Sequence, residues 1–260
     1  MMAPAYEKIR LELDGPVARI TLQFPERRNA IGPRMVGELL HALDAVQANA
    51  ACRVLLLQGD GKSFCGGADL AQMQSGDADP FVGRGDYADL LSALWRCDRP
   101  IVCKVQGHAM GGGLGLVAAS HFAVAASDAQ FATPEVGVGL FPMMIMAVLR
   151  RRMGRQSLLD WMLLAEKHSA SDALAAGLLH KVVASESLDE EVSALCMKLV
   201  EKAAASVRIG LRALADQDAL SLEEALPKLR DGLARCLATN DAMEGLSAFV
   251  QRRSPVFTGT

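Results

Sequence analysis

The sequence predicts an α/β fold of stacked ββα units rather than a doubly wound dinucleotide-binding sheet. Three observations carry this. A strand, turn, helix, strand pattern recurs at a spacing of about 45 to 50 residues. The segments 53–58 and 101–105 are nearly continuous apolar runs, as in strands buried on both faces. The stretch VQGHAMGGGLGLVAASHFAVAA, residues 105–126, passes from a short strand through three consecutive glycines into a buried helix.

The elements follow in order. Tyr6 to Leu13 alternates apolar and polar, and Asp14-Gly15 is a hairpin signal leading to a second strand, Val17 to Leu22. Pro25 stops that strand. Arg27 and Arg28 precede Asn29 on the connecting loop, and the two arginines read as a solvated turn or as a cation pair near a phosphate-bearing ligand. Pro33 opens a helix to about Asn49, with Met35, Leu39, Leu43 and Val46 on one face. After the strand at 53–58 comes a small-residue turn, residues 61–70. Gln74 to Gly85 reads as a loop, either mobile over a site or simply superficial. A helix is expected over Tyr87–Cys97, ended by Arg99-Pro100, and strands over 101–105 and 122–126.

From Met143 onward the pattern is helical. Helices are expected at 158–164, 170–176, 188–202, 222–239 and 242–252, with a short strand at Val182-Val183. Residues 1–199 are expected to form the ββα core and 200–260 a helical appendage whose apolar faces need a partner, either the body or another subunit.

Composition narrows the function. The chain is 51% apolar and 22% charged with net charge −3, which reads as globular, with no basic excess for nucleic acid. Aromatics are only 5%, too few for base-stacking platforms. The six cysteines form no CxxC pair and no His/Cys zinc spacing, so they read as reduced, mostly buried thiols of a cytoplasmic protein. No metal ligand set is expected. The N-terminus lacks an apolar signal core. The apolar runs 101–126 and 136–149 are interrupted or too short to span a membrane.

The glycine turn is the chemical lead. Glycines let a ligand lie against the backbone, and the helix after them starts with free N–H groups and partial positive charge. Such a turn holds a negatively charged oxygen.

Four patches resemble the crotonase superfamily, also called the enoyl-CoA hydratase/isomerase family: RRNAIGPRM (27–35), GKSFCGGADL (61–70), VQGHAMGGGLGL (105–116) and AQFATPEVGVGLFP (129–142). The tail at 238–257 resembles the family's last helix region. The resemblance implies a crotonase-like spiral of ββα units with a C-terminal helical oligomerisation region, assembled as a homotrimer or homohexamer. It implies an acyl-CoA thioester substrate, with coenzyme A as part of the substrate and no separate cofactor. It places the two N–H donors of an oxyanion hole on Ala68 and Gly112. It puts Ala68, Asp69, Leu70 and Ala71 along coenzyme A, Arg28 and Ala30 near the nucleotide end, and Gly111, Gly112 and Phe141 among the substrate-binding residues.

The chain departs from the family's hydratases at one point. Those carry two glutamates, one where this chain has Gly115 and one where it has Glu135. A single base can shuttle a proton between two carbons, whereas hydration conveniently uses two carboxylates. Δ3/Δ2-enoyl-CoA isomerisation by Glu135 is therefore slightly preferred over 2-enoyl-CoA hydration. A weakly catalytic acyl-CoA-binding scaffold is a further alternative. Glu135 is expected in an apolar pocket lined by Phe141 and Met143, with its pKa raised by burial. His108 is expected to point off its strand end, and Cys65 to pack. Other enolate chemistries would call for an additional His, Asp or Tyr, and no such residue is evident in the sequence.

Overall fold

The computed structural model describes residues 5–69 and 81–260. Two sheets organise the described residues. The larger has six strands in the order β1-β2-β3-β4-β6-β9: β1 (Ile9–Glu12), β2 (Val17–Leu22), β3 (Val54–Gly59), β4 (Ile101–Val105), β6 (Phe122–Ala126) and β9 (Lys181–Val183). Only the opening hairpin is antiparallel, with Ile9 opposite Leu22 and Gly15 turning at φ +80°. The remaining pairs are parallel, with Val17 opposite Val54, Leu55 opposite Ile101 and Val102 opposite Phe122. The smaller sheet holds β5 (His108–Met110), β7 (Gln130–Ala132) and β8 (His168–Ser169).

The chain crosses between the sheets by sharp corners. After β4, Gly107 turns at φ +62°, where a Cβ would overlap the Lys62 carbonyl oxygen, and β5 starts in the second sheet. After β6, residues 127–129 turn and β7 joins β5, with Ala109 opposite Phe131. One strand per sheet followed by a helix is the ββα unit.

Alternation on the strands builds two apolar layers. Leu55 and Leu57 of β3 pack into the main core with Ile20, Ile101 and Cys103. Val54 and Leu56 face the other way, toward Leu188, Val192 and Cys196 of a helix. That explains the unbroken apolar run of β3.

All the helices but α8 form close to where the sequence places them. α1 (Pro33–Ala48) starts at Pro33 and buries Met35, Leu39, Leu43 and Val46. Its Glu38 is fully buried, accepting the N–H groups of Glu7, Lys8 and Ile9 at 2.9, 2.8 and 3.1 Å and pairing with Arg34 Nε at 2.8 Å. This buried carboxylate ties the first strand to α1. α2 (Tyr87–Trp95) starts on an Asp86 capping box and ends slightly earlier than the sequence implies. α3 (Gly112–Ala119) is buried along most of its length. Then come α4 (Met143–Leu149), α5 (Arg155–Leu164), α6 (Ala170–Ala175), α7 (Leu188–Val200), α8 (Ala204–Gln217), α9 (Leu222–Leu237) and α10 (Asn240–Gln251).

Four elements escape the sequence reading: β5, β7, β8 and α8. The three strands have two or three residues each, too short to show a period. Of the expected loop 74–85, residues 74–80 lie outside the described residues. Its end differs from expectation: Phe81 is buried, its ring against Tyr6 and His41. All six cysteines are free thiols, five of them buried. No helix among the described residues is long and apolar enough to cross a membrane.

Candidate functional site

Two turns meet at the seam between the sheets. β5 ends at Met110, and Gly111 adopts φ +47° and ψ −117°, a backbone conformation that L side chains rarely take. The Gly111 N–H donates to Ala132 O of β7 at 2.9 Å, and the chain enters α3. The second turn, 65–69, is laced to the first. Cys65 N–H donates to His108 O at 2.9 Å, and Met110 N–H donates to Cys65 O at 3.0 Å. Gly67 has φ +102°, and a Cβ there would lie 3.1 Å from Met110 O and 3.9 Å from Gly111 Cα. Gly67 and Gly111 therefore touch backbone to backbone, and Ala68 and Gly112 are the next residue of each turn. Among the described residues neither the Ala68 nor the Gly112 N–H has an acceptor. Two donors without acceptors among the described residues thus lie at one seam, one of them opening a buried helix.

Asn29 locks the neighbouring loop to this seam. It is fully buried at φ +55°, a conformation asparagine tolerates better than most residues. Its Nδ2 donates to Asp60 O, Ser63 O and Phe64 O at 2.9, 2.9 and 3.1 Å, and its Oδ1 accepts Phe24 N–H at 2.8 Å. Gly66 N–H donates to Arg28 O at 2.7 Å, and Ile31 pairs with Ala68 in a parallel bridge. Arg28 and Ala30 thus lie on a loop bonded to the turn that carries Ala68, with Arg28 exposed. The sequence reading gave Asn29 no role. An asparagine just past a proline-initiated turn was the available signal. Asp69 is buried, its N–H donating to Ile31 O at 2.9 Å. Leu70 and Ala71 lie outside the described residues.

Glu135 comes from the other side. Thr133, fully buried, donates its hydroxyl to Trp161 O of α5 at 2.6 Å. This holds the start of a 3-10 helix, Pro134–Val138. The Glu135 carboxylate then lies against Gly111: a Cβ added there would sit 2.8 Å from Oε1. Oε2 is buried and has no hydrogen-bond partner among the described residues. Burial raises the Glu135 pKa above the ordinary carboxylate value. The expected apolar wall is corrected, however. Phe141 is 36% and Met143 65% exposed, because the chain passes from the 3-10 helix to α4 along the surface.

The position that carries the second glutamate in the resembling hydratases is closed. A Cβ on Gly115 would overlap the Tyr87 hydroxyl and come within 2.6 Å of Ile145 Cγ2. Tyr87 donates its hydroxyl to Gly112 O. Burial, with the nearby Cys65 and Glu135 adding to it, pushes its pKa well above the ordinary phenol value. The sequence reading found no additional tyrosine for this site. Tyr87 lies there all the same, brought by α2 across a separation that periodicity does not reveal.

His108 also differs from expectation. It lies within β5 opposite Gln130, and its Nδ1 is buried without a partner among the described residues. Cys65 packs as expected: it is fully buried, its thiol donates to Asn29 O at 3.1 Å, and burial pushes its pKa up to about 12. Such a thiol is a poor nucleophile at neutral pH.

These features match known proteins along the whole chain. A family model described as enoyl-CoA hydratase/isomerase matches residues 12–260. A crotonyl-CoA hydratase of Syntrophomonas wolfei is 32% identical over 263 residues, covering 97% of this chain and 98% of that protein. Among solved structures, an enoyl-CoA hydratase of Mycobacterium smegmatis has a TM-score of 0.90 at 31% identity, covering 96% of this chain and 99% of the other. Human enoyl Coenzyme A hydratase domain-containing protein 3 has a TM-score of 0.88 at 27% identity, covering 96% of this chain and 100% of the other. With the spiral of ββα units, the paired turns and Glu135 in view, the chain belongs to the enoyl-CoA hydratase/isomerase family, whose members process acyl-CoA thioesters.

Proposed function

We propose that this protein moves a double bond in an enoyl-CoA, between the Δ3 and Δ2 positions, through a thioester enolate. The thioester oxygen lies between the N–H groups of Ala68 and Gly112. Glu135 removes the proton on one carbon and returns it to another. Ala68 and Asp69 lie along coenzyme A, with Arg28 and Ala30 toward its nucleotide end. The reading needs no group beyond the protein's own residues and the coenzyme A carried by the substrate.

The observation that carries it is the filled space at Gly115. The departure from the hydratases is more than a missing side chain, since Tyr87 and Ile145 occupy the room that a side chain there would need. A half-buried glutamate against Gly111, with Oε2 buried, supports proton shuttling, and its raised pKa suits a base that must also give the proton back. Two fixed donors stabilise the enolate without reorganising, and losing one typically costs about 10² to 10³ in rate.

Hydration is the second reading, favoured by the hydratase names of the relatives. A paired assay separates the two: loss of the conjugated absorbance of a 2-enoyl-CoA, and its appearance from a 3-enoyl-CoA. Fast appearance with little loss supports isomerisation, and fast loss sinks it. Glu135→Gln should cost either reaction about 10² to 10⁴ in rate with thioester binding kept. A weakly catalytic acyl-CoA scaffold would not respond to that change.

A homotrimer or homohexamer in the cytoplasm completes the proposal. The tail exposes Leu222, Leu226, Leu233, Leu237, Phe249 and Val250, a large apolar area for an isolated chain. Light scattering on the purified protein tests the assembly, and a monomer would refute it.

A further inference from the structure

Glu135 sits on a stretch of chain with few ties to the body. No residue from Pro134 to Phe141 is buried, while Thr133 before them and Pro142 after them are. The base therefore lies on an exposed arch between two buried ends. The hydrogen bonds within the arch are local: Gly139 N–H donates to Val136 O at 3.3 Å, Leu140 N–H to Glu135 O at 2.9 Å and Met143 N–H to Phe141 O at 2.7 Å. The Glu135 Oε2 is buried without a partner among the described residues, so no neighbouring donor directs it. Its place is set by where the arch runs.

Among the described residues, one hydrogen bond reaches from this arch to another part of the chain: the Thr133 hydroxyl donates to Trp161 O at 2.6 Å. A threonine before a helix usually bonds that helix's own N–H groups. Thr133 makes no such bond and sends its hydroxyl to α5 instead. The acceptor is firm. Trp161 lies in the last turn of α5, where carbonyls lack intrahelical partners, and Ala165 turns the chain off at φ +54°. The Trp161 ring is buried and stacked on His168, with centroids 4.0 Å apart and planes within 2°. His168 in turn lies opposite Phe131 of β7, two residues before Thr133.

We propose that Thr133 is the positioning residue of Glu135: its hydroxyl, bonded to Trp161 O, sets the course of the arch and so keeps the carboxylate against Gly111. The inference rests on the enolate reading above. Thr133 transfers no proton to substrate in this role, because its hydroxyl proton is committed to the Trp161 carbonyl. What it supplies is aim. A misplacement of about 1 Å caused by a change far from the chemistry can cost about 10² in rate.

Thr133→Val tests this, because it keeps the branched shape and removes the hydroxyl, while Thr133→Ser keeps the hydroxyl. The readouts are kcat, KM and the acid limb of kcat on a 3-enoyl-CoA. Burial holds Cys65 up at about 12 and Tyr87 well above the ordinary phenol value, so neither neighbour at the seam shapes that limb. The limb should be absent from Glu135→Gln, which assigns it to the base. In Thr133→Val kcat should drop about 10-fold or more with KM nearly unchanged. The limb should move down toward the ordinary carboxylate value, since a carboxylate released from the seam meets water. Thr133→Ser should restore both. In a Glu135→Gln background, Thr133→Val should cost no further rate, because the two residues act as a unit. If Thr133→Val does not fold, Thr133→Cys, similar in size and a weaker donor, carries the same comparison. An unchanged kcat and acid limb in the folded variant, or an equal loss in the Glu135→Gln background, would reduce Thr133 to a cap of α5 and overturn its role, leaving the enolate reading intact. Full turnover by Glu135→Gln itself would overturn both.

Discussion

Glu135 Oε1 lies 2.8 Å from the point where a Cβ on Gly111 would sit, so the base and the turn beside it fit only because position 111 has no side chain. Gly111→Ala meets two obstacles at once, the φ of +47° and the carboxylate itself. It should lower kcat at least about 10²-fold by displacing Glu135, and cost about 1 to 2 kcal/mol of stability. Steady-state kinetics and urea unfolding on the same preparation check both numbers.

Glu135 should make stability fall as pH rises. Its pKa in the folded protein is raised from the ordinary value of 4.5 by burial. Below that value both folded and unfolded chains carry the proton, and nothing is lost. Above it the unfolded chain ionises first and the folded chain binds more protons, so the penalty on the folded state grows until pH passes the raised value and stays constant beyond it. Glu135→Gln should therefore raise the melting temperature at neutral pH and change it little in acid. A gain that is the same at every pH would refute the account. The acid limb of the turnover profile should likewise fall above the ordinary value, since the base must be ionised to act.

Restoring a carboxylate at position 115 should not restore a hydratase site. Gly115→Glu would force its side chain into the Tyr87 hydroxyl and Ile145. Even Gly115→Ala should cost about 1 to 3 kcal/mol, the usual range for overpacking. Thermal melts read the cost, and the conjugated-absorbance assay reads hydration. A stable Gly115→Glu protein with faster water addition would show that the space can open.

Asn29→Ala would leave the carbonyls of Asp60, Ser63 and Phe64 and the N–H of Phe24 without their side-chain partner. The loss should be about 2 to 6 kcal/mol, since the Ser63 and Phe64 carbonyls are buried and each buried polar group left unpaired costs about 1 to 3. The loop carrying Arg28 and Ala30 should loosen from the turn carrying Ala68, so coenzyme A affinity should weaken as well. Isothermal titration with a saturated acyl-CoA checks the second effect separately from the first.

The sequence by itself determined the long strands, the helices with clear apolar faces, the glycine turn, and a glutamate placed after Thr133-Pro134. These are local properties: a period, a stop residue or a run of glycines is complete within a few neighbours. β4 and β6 match the expected 101–105 and 122–126 for that reason. β5 and β7 were hidden, because three residues define a strand only through a partner across the sheet. Tertiary structure alone decided that Tyr87 reaches Gly112 from 25 residues away and fills the room beside Gly115. It also decided that Asn29 ties together carbonyls more than 30 positions downstream. Such contacts depend on how sheets and helices stack, and stacking is fixed by the sum of many burials rather than by any one stretch of chain.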